Sequence, residues 1–110
     1  MNAPASPFIV LYRWKLHAGQ EQSFVAAWSR VTQLLKAKRG ALGSRLHQGS
    51  DGIWYAYAQW PTAEAREQAF ALGSADPQAS AAMREAIAEC LPEVILAVIE
   101  DHLASPNAGT

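Results

Sequence analysis

Residues Ile53 to Thr62 read Ile-Trp-Tyr-Ala-Tyr-Ala-Gln-Trp-Pro-Thr and hold four of the chain's ten aromatic residues, alternating with small or polar ones. Successive side chains on a strand point to opposite faces. Trp54, Ala56, Ala58 and Trp60 therefore share one face, and Tyr55, Tyr57 and Gln59 share the other. On the first face two indoles bracket two methyl groups, which leaves a hollow between walls. Filled from above by bulky helix residues, that hollow is ordinary core. Left open, it is a small apolar pocket for a planar ligand. Trp60 would add a single N–H donor to such a pocket.

Other reactive groups are sparse. Arg45 and His47 fall on one face of a strand, where they could bind an anion or move a proton; a solvent-facing edge or a dimer contact accounts for them equally well. Arg84, beside Met83, could reach a pocket mouth and hold a ligand oxygen, or pair with Glu85 or Glu89. The one cysteine, Cys90, forbids an internal disulfide and a multi-thiolate metal site. It lies on an apolar helical stripe and is expected to be a buried, inert thiol. No Gly-rich phosphate loop, Gly-x-Ser-x-Gly elbow or paired zinc-ligand motif is present.

The elements that position these groups follow from periodicity and breakers. With 110 residues, half of them apolar and 17% charged, the chain has the composition of one ordinary globular domain. A net charge of -1 with no basic block gives no reason to expect nucleic acid as a partner. The first residues lack the charged and apolar regions of a signal peptide, and the run Val94 to Ile99 is too short to span a bilayer, so a cytoplasmic protein is expected. Residues 1–7 and 104–110, rich in Pro, Ala, Ser, Asn and Gly, read as loose tails around a domain spanning 8–103. Phe8 to His17 reads as a strand with Phe8, Val10, Tyr12, Trp14 and Leu16 on one face. Gln20 to Lys38 reads as a helix whose stripe is Phe24, Trp28, Val31 and Leu35, with Val25 and Leu34 beside it. The cluster Lys36, Lys38 and Arg39 then forms a solvated cap at its negative end, and Gly40 stops it. Leu42 to Gln48 is a second strand, joined through the turn Gly49-Ser50-Asp51-Gly52 to the aromatic one. Thr62 caps a short helix over 63–72, and Asp76 with Pro77 opens another. The stripe Ala79, Met83, Ala86, Ile87, Cys90 and Leu91 carries this helix to Pro92, and Glu93 to Leu103 is the last strand.

Strand, helix, strand, strand, helix pair, strand is the order of an α+β, ferredoxin-like βαββαβ sheet with helices on one face. The other face would show Leu11, Tyr55 and Tyr57, an apolar patch that a monomer rarely leaves bare. A homodimer is expected. In the strand order 4-1-3-2, His17 lies at one end of the sheet, while His47 and His102 lie at the other on outer strands about 14 Å apart, at ~4.8 Å per strand. The three histidines cannot share an ion within one subunit, so no metal site is expected.

The layout, the alternating third strand ending in Trp60-Pro61, the lead Arg13-Trp14-Lys15-Leu16-His17-Ala18-Gly19 into the first helix and the split second helix together resemble the dimeric α+β barrel superfamily. Within it the chain is most similar to the antibiotic biosynthesis monooxygenase-like proteins. The resemblance covers about residues 8–103. It implies a cofactor-independent monooxygenase acting on an aromatic or polyketide-like compound, in which the deprotonated substrate itself reduces oxygen. It also implies a slot between sheet and helices, lined by Tyr12, Trp14, Trp28, Trp54, Trp60 and Met83 over a floor of Ala56 and Ala58. Trp60 and Tyr12 would orient the ligand. Haem-degrading relatives hold haem with a histidine on the last helix and an asparagine on the first strand; here those positions carry Met83 and Tyr12, so haem is not expected. The rival is a non-catalytic dimeric barrel that binds a small apolar ligand or has a structural role, because no histidine or carboxylate is well placed in the slot. An isomerase or decarboxylase of the same superfamily would need His47 as its base.

Overall fold

The alternating stretch forms a strand, β3 (Trp54–Trp60), in the computed structural model, which describes residues 6–104. Around it the chain runs β1 (Phe8–Leu16), α1 (Glu21–Lys38), β2 (Gly43–Gln48), β3, α2 (Ala63–Ala71), α3 (Pro77–Ala86) and β4 (Ile87–Leu96). The strands lie in the order β2-β3-β1-β4, and every neighbouring pair is antiparallel. This is the α+β ferredoxin-like sheet that the element order implies. Of the expected tails, 1–7 and 104–110, residues 1–5 and 105–110 lie outside the described residues.

Register fixes which side chains meet. Val10 pairs with Ala58, Tyr12 with Ala56 and Trp14 with Trp54, so the indole–methyl face of β3 continues across β1. Across β2 it continues through Ser44, opposite Ala58, and Leu46, opposite Ala56. The hairpin turn that sets this register is tight. The Gly49 N–H bonds the Ile53 carbonyl at 2.7 Å, and the Asp51 carboxylate accepts from the Ile53 N–H at 2.9 Å and the Tyr55 hydroxyl at 2.5 Å. A side chain at Gly49 would come within 2.7 Å of the Tyr55 ring.

Helix ends behave as their residues dictate. Gly40, at φ 82°, lets the N–H groups of Arg39 and Ala41 both bond the Leu35 carbonyl, at 3.0 and 3.1 Å. The Arg39 side chain does not simply cap its own helix. It donates to the carbonyls of Ala69 and Gly73 at 3.0 and 2.8 Å, tying α1 to the negative end of α2. Thr62 caps α2 through Ala65, and Asp76 caps α3 through Ala79, each at 3.0 Å. Arg30 holds the same Asp76 carboxylate at 3.1 Å, which locks α1 to α3.

The last third of the chain departs from the expected elements. Helix α3 stops at Ala86 and the strand begins at Ile87, whose backbone is extended at φ -85° and ψ 121°. Apolar residues at Ala86, Ile87, Cys90 and Leu91 fit helical spacing, but β1 has a whole edge left to pair once β3 has taken the other. Ile87, Glu89, Cys90 and Leu91 pair with Leu16, Lys15, Trp14 and Arg13, and those ladder bonds outweigh local helix propensity. Cys90 is consequently exposed on a strand instead of buried on a helix. The strand ends at Leu96, so His102 lies beyond the sheet. Pro92, expected to close a helix, sits inside an edge strand at a bulge. Between Leu11↔Val94 and Arg13↔Leu91 strand β4 has one residue more than β1, and an edge bulge tolerates the missing N–H. Arg13 fastens the bulge by donating twice to the Pro92 carbonyl, at 3.0 and 2.8 Å.

The helix-covered face holds the buried core of Val10, Trp60 and Ala69, with Phe8, Tyr12, Leu35 and Ala41 packed against it. Phe24, Ala27 and Leu34 are buried from α1, whereas Val25 points outward. On the opposite face Leu11, Tyr55, Tyr57, Val98 and Leu103 line a broad groove of about 1080 Å³. Among the described residues no helix is long and apolar enough to cross a membrane, and no three His, Cys, Asp or Glu side chains gather to hold an ion.

Candidate functional site

Between the indole–methyl face and the helices lies a cavity of about 190 Å³, partly open to solvent. Strand β1 contributes Tyr12 and Trp14, β3 contributes Ala58 and Trp60, and β2 contributes Ser44. Helix α1 supplies Trp28, Val31 and Leu35, α2 supplies Phe70, and α3 supplies Met83. Trp28, Val31 and Leu35 are the helical stripe read from sequence. They are only half-buried because part of what they face is this hollow.

Of the nine candidate site residues, six line the cavity: Tyr12, Trp14, Trp28, Ala58, Trp60 and Met83. Trp54, Ala56 and Arg84 do not. The reason lies in Phe24, which is fully buried and meets Trp14 edge-on at 5.1 Å and Trp54 edge-on at 6.2 Å. Its ring closes the end of the sheet face where Trp14 and Trp54 pair, and Ala56, the next residue on that face, is 1% exposed. Above Ala58 no such ring descends, and the hollow persists. Arg84 is exposed on α3 and does not face the slot. His47 and Arg45, opposite Tyr55 and Tyr57, line the groove on the other side of the sheet.

The slot's walls are aromatic. Tyr12 and Trp14 are stacked nearly parallel, their planes 6° apart and their centroids 5.9 Å apart. Trp60 is 2% exposed and meets Phe70 edge-on at 5.7 Å. Polar groups concentrate at Tyr12. The Arg66 Nε donates to its hydroxyl at 3.1 Å, and the Arg66 guanidinium lies 5.6 Å from the Tyr12 ring centre and 5.2 Å from that of Phe70. The other arm of Arg66 binds the Glu93 carboxylate at 2.7 Å. Glu93 adjoins Pro92 in the β4 bulge, so the bulge delivers this carboxylate to the helix-covered face.

Burial pushes the Tyr12 hydroxyl above its usual range, and the neighbouring Arg66 cation offsets that only in part. Tyr12 is therefore a neutral phenol near pH 7. Its oxygen already accepts from Arg66, which leaves its own proton to donate. Burial works against the charge on Arg66 as well, but Tyr12 and Glu93 outweigh it and hold the guanidinium firmly protonated.

Arg66, Glu93, Phe70 and Ser44 were not among the candidates read from sequence. Arg66 and Phe70 are four apart on α2, a spacing that places both on one helix face and marks them as a unit. Ser44 and Ala58 are equally far from Asp51, so the hairpin turn alone places them opposite each other. Nothing in the local sequence of Glu93 announces that a bulge will turn it toward Arg66.

The family model for antibiotic biosynthesis monooxygenase matches residues 7–89. No curated protein sequence matches the chain. Among solved structures, SnoaB, a cofactor-independent oxygenase from Streptomyces nogalater, is 16% identical with a TM-score of 0.70, over 89% of this chain and 98% of its own. A Bordetella bronchiseptica protein provisionally described as an antibiotic biosynthesis monooxygenase is 16% identical with a TM-score of 0.75, over 87% of this chain and 100% of its own. Rv0793 from Mycobacterium tuberculosis is 16% identical with a TM-score of 0.67, over 89% and 100%. At such identities the likeness is one of fold.

Proposed function

The chain belongs to the antibiotic biosynthesis monooxygenase family, and from that premise we propose that it is a cofactor-independent monooxygenase acting on a small aromatic or polyketide-like phenol, and that it works as a homodimer. The observation that carries this reading is Tyr12. Its hydroxyl accepts from Arg66, which leaves its own proton free to donate, and its side chain lines an apolar slot with aromatic walls. An electron-rich phenol ionises, and its developing oxyanion is stabilised by the Tyr12 O–H with the Arg66 charge behind it. The ionised ring then reduces oxygen itself. In the four-electron form, a ring CH₂ becomes C=O, one atom of O₂ enters the product and the other leaves as water. Trp60 and Trp14 hold the ring plane, while Trp28 and Met83 wall the slot from the helix side, and the bound ring displaces water from it.

The slot's size bounds the ligand. An apolar cavity of about 150 Å³ accepts benzene, so about 190 Å³ suits a one- or two-ring body, with further rings extending through the open side. Because no imidazole or carboxylate is among the lining residues, the substrate's proton leaves to solvent at the mouth. That same absence favours the second reading, a dimeric barrel that binds an aromatic compound without transforming it. An isomerase or decarboxylase built on His47 has no support, since that side chain lies across the sheet from the slot.

Oxygen uptake by metal-stripped protein with anthrones, quinols and related phenols tests the proposal. Uptake above the spontaneous rate that falls in Trp60→Ala and Tyr12→Phe supports the oxygenase. Quenching of tryptophan fluorescence by the same compounds without uptake supports the binding protein.

A further inference from the structure

We propose that Ser44 is a second ligand anchor in the slot, and that the ligand carries a hydrogen-bonding oxygen on the edge remote from Tyr12. This rests on the slot being the binding site. Among the described residues Ser44 Oγ is the one buried side-chain polar atom without a hydrogen-bond partner. A buried hydroxyl left unpaired destabilises a protein, and native structures rarely keep one without a use. Ser44 borders the outer groove as well as the slot, as do its neighbours Gly43 and Gln59. Its cross-strand partner, however, is Ala58, which lines only the slot, and directly opposed residues rise on the same face. The Ser44 side chain therefore rises on the slot's side of the sheet, and a turn about its Cα–Cβ bond is what brings the shielded Oγ to the hollow above Ala58.

Its place in the lattice of strands gives the ligand a shape. Ser44 is opposite Ala58 and Ala58 is opposite Val10, so Tyr12 is two strands across and two residues along. At ~4.8 Å per strand and ~3.4 Å per residue, the two backbone positions are about 12 Å apart. Between these two positions the sheet presents only the small and aliphatic side chains of Ala58, Ala56 and Val10. A flat molecule with oxygens on opposite edges satisfies both at once, whereas a hydrocarbon of the same outline leaves Ser44 unpaired. Ser44 offers one donor and two acceptor positions, so either a hydroxyl or a carbonyl on that edge is recognised.

Three probes of one outline separate the contributions: naphthalene, 2-naphthol and 2,6-dihydroxynaphthalene, titrated by tryptophan fluorescence quenching against the full chain. One neutral hydrogen bond corresponds to a gain of roughly 2- to 10-fold in affinity. In the wild type the diol is expected to bind more tightly than 2-naphthol by that factor, and in Ser44→Ala the gain from the second hydroxyl disappears while 2-naphthol binds as before. The unliganded Ser44→Ala protein is expected to melt at the same temperature as the wild type or slightly above it. A diol-to-naphthol ratio of one in the wild type, an unchanged ratio in the variant, or a fall of several degrees in its melting temperature would overturn the Ser44 proposal and leave the slot standing. Failure of all three probes to bind would overturn the slot itself, and Ser44 with it.

Discussion

Tyr12 shows how one residue's role is set by its neighbours. A phenol can act as acid, base or plain packing, and the strand alternation alone leaves all three open. Arg66 decides among them by occupying an acceptor position on the oxygen, and burial decides again by keeping the phenol neutral. A hydrogen bond to a charged group contributes about 1.5–3 kcal/mol, so Tyr12→Phe is expected to slow oxygen uptake by roughly 10- to 100-fold with the fold intact by circular dichroism. The same environment sets a pH dependence. The folded state raises the pKa of Tyr12 above its unfolded value of 10.0, so the folded protein holds the proton longer. This contribution to stability is fully present below the unfolded pKa and is lost as pH rises through the folded one. Urea midpoints taken from pH 9 upward are therefore expected to fall less steeply in Tyr12→Phe than in the wild type.

At the scale of the element, the caps and the strand pairing do most of the positioning. Thr62 sets the first turn of α2 and so the direction in which Arg66 and Phe70 reach the slot. Thr62→Ala is expected to cost about 1 kcal/mol in urea unfolding and to weaken binding of aromatic probes. Asp76 caps α3, and its carboxyl is held below the usual range by the Ala79 N–H first and by Arg30 second. A depressed carboxylate stabilises the fold above its unfolded pKa of 3.8 and loses that contribution as pH falls through the lower folded value. Asp76→Asn keeps a capping oxygen but no charge, so its acid unfolding curve is expected to be flatter than that of the wild type. Sequence periodicity was sufficient for α1, for β3 and for the turn at Gly49, where local preference and tertiary demand agree. It failed at Ala86–Leu91, where a helical spacing of apolar residues is also compatible with a strand and only the vacant edge of β1 decides between them. It failed also at Ala56. Two alanines look alike on a strand, and which one lies under a void depends on Phe24, thirty-two residues away in the chain.

For the molecule as a whole, the helices cover one face of the sheet and leave the other with more apolar surface than one copy can hide. Leu11, Tyr55, Tyr57, Val98 and Leu103 line a groove on that face, and beside it Val94 and Leu96, the partners of Leu11 and Ile9, are exposed by 38% and 36%. Patches of this kind mark an interface, and the proposed homodimer would put a second copy there. The slot lies on the helix side of the same sheet, so pairing would stiffen its floor. Leu11 and Tyr57 are cross-strand partners at the centre of the face. A charge at either position stays in water in a monomer and is buried unpaired in a dimer, which is costly. Light scattering is expected to give twice the chain mass for the wild type and a shift toward the single mass for Leu11→Asp and Tyr57→Asp. If the sheets support one another, both variants also lose several degrees in melting temperature and bind 2-naphthol more weakly, although neither residue touches the slot. A wild type that runs as a monomer would refute the dimer while leaving Tyr12, Arg66 and the slot unaffected.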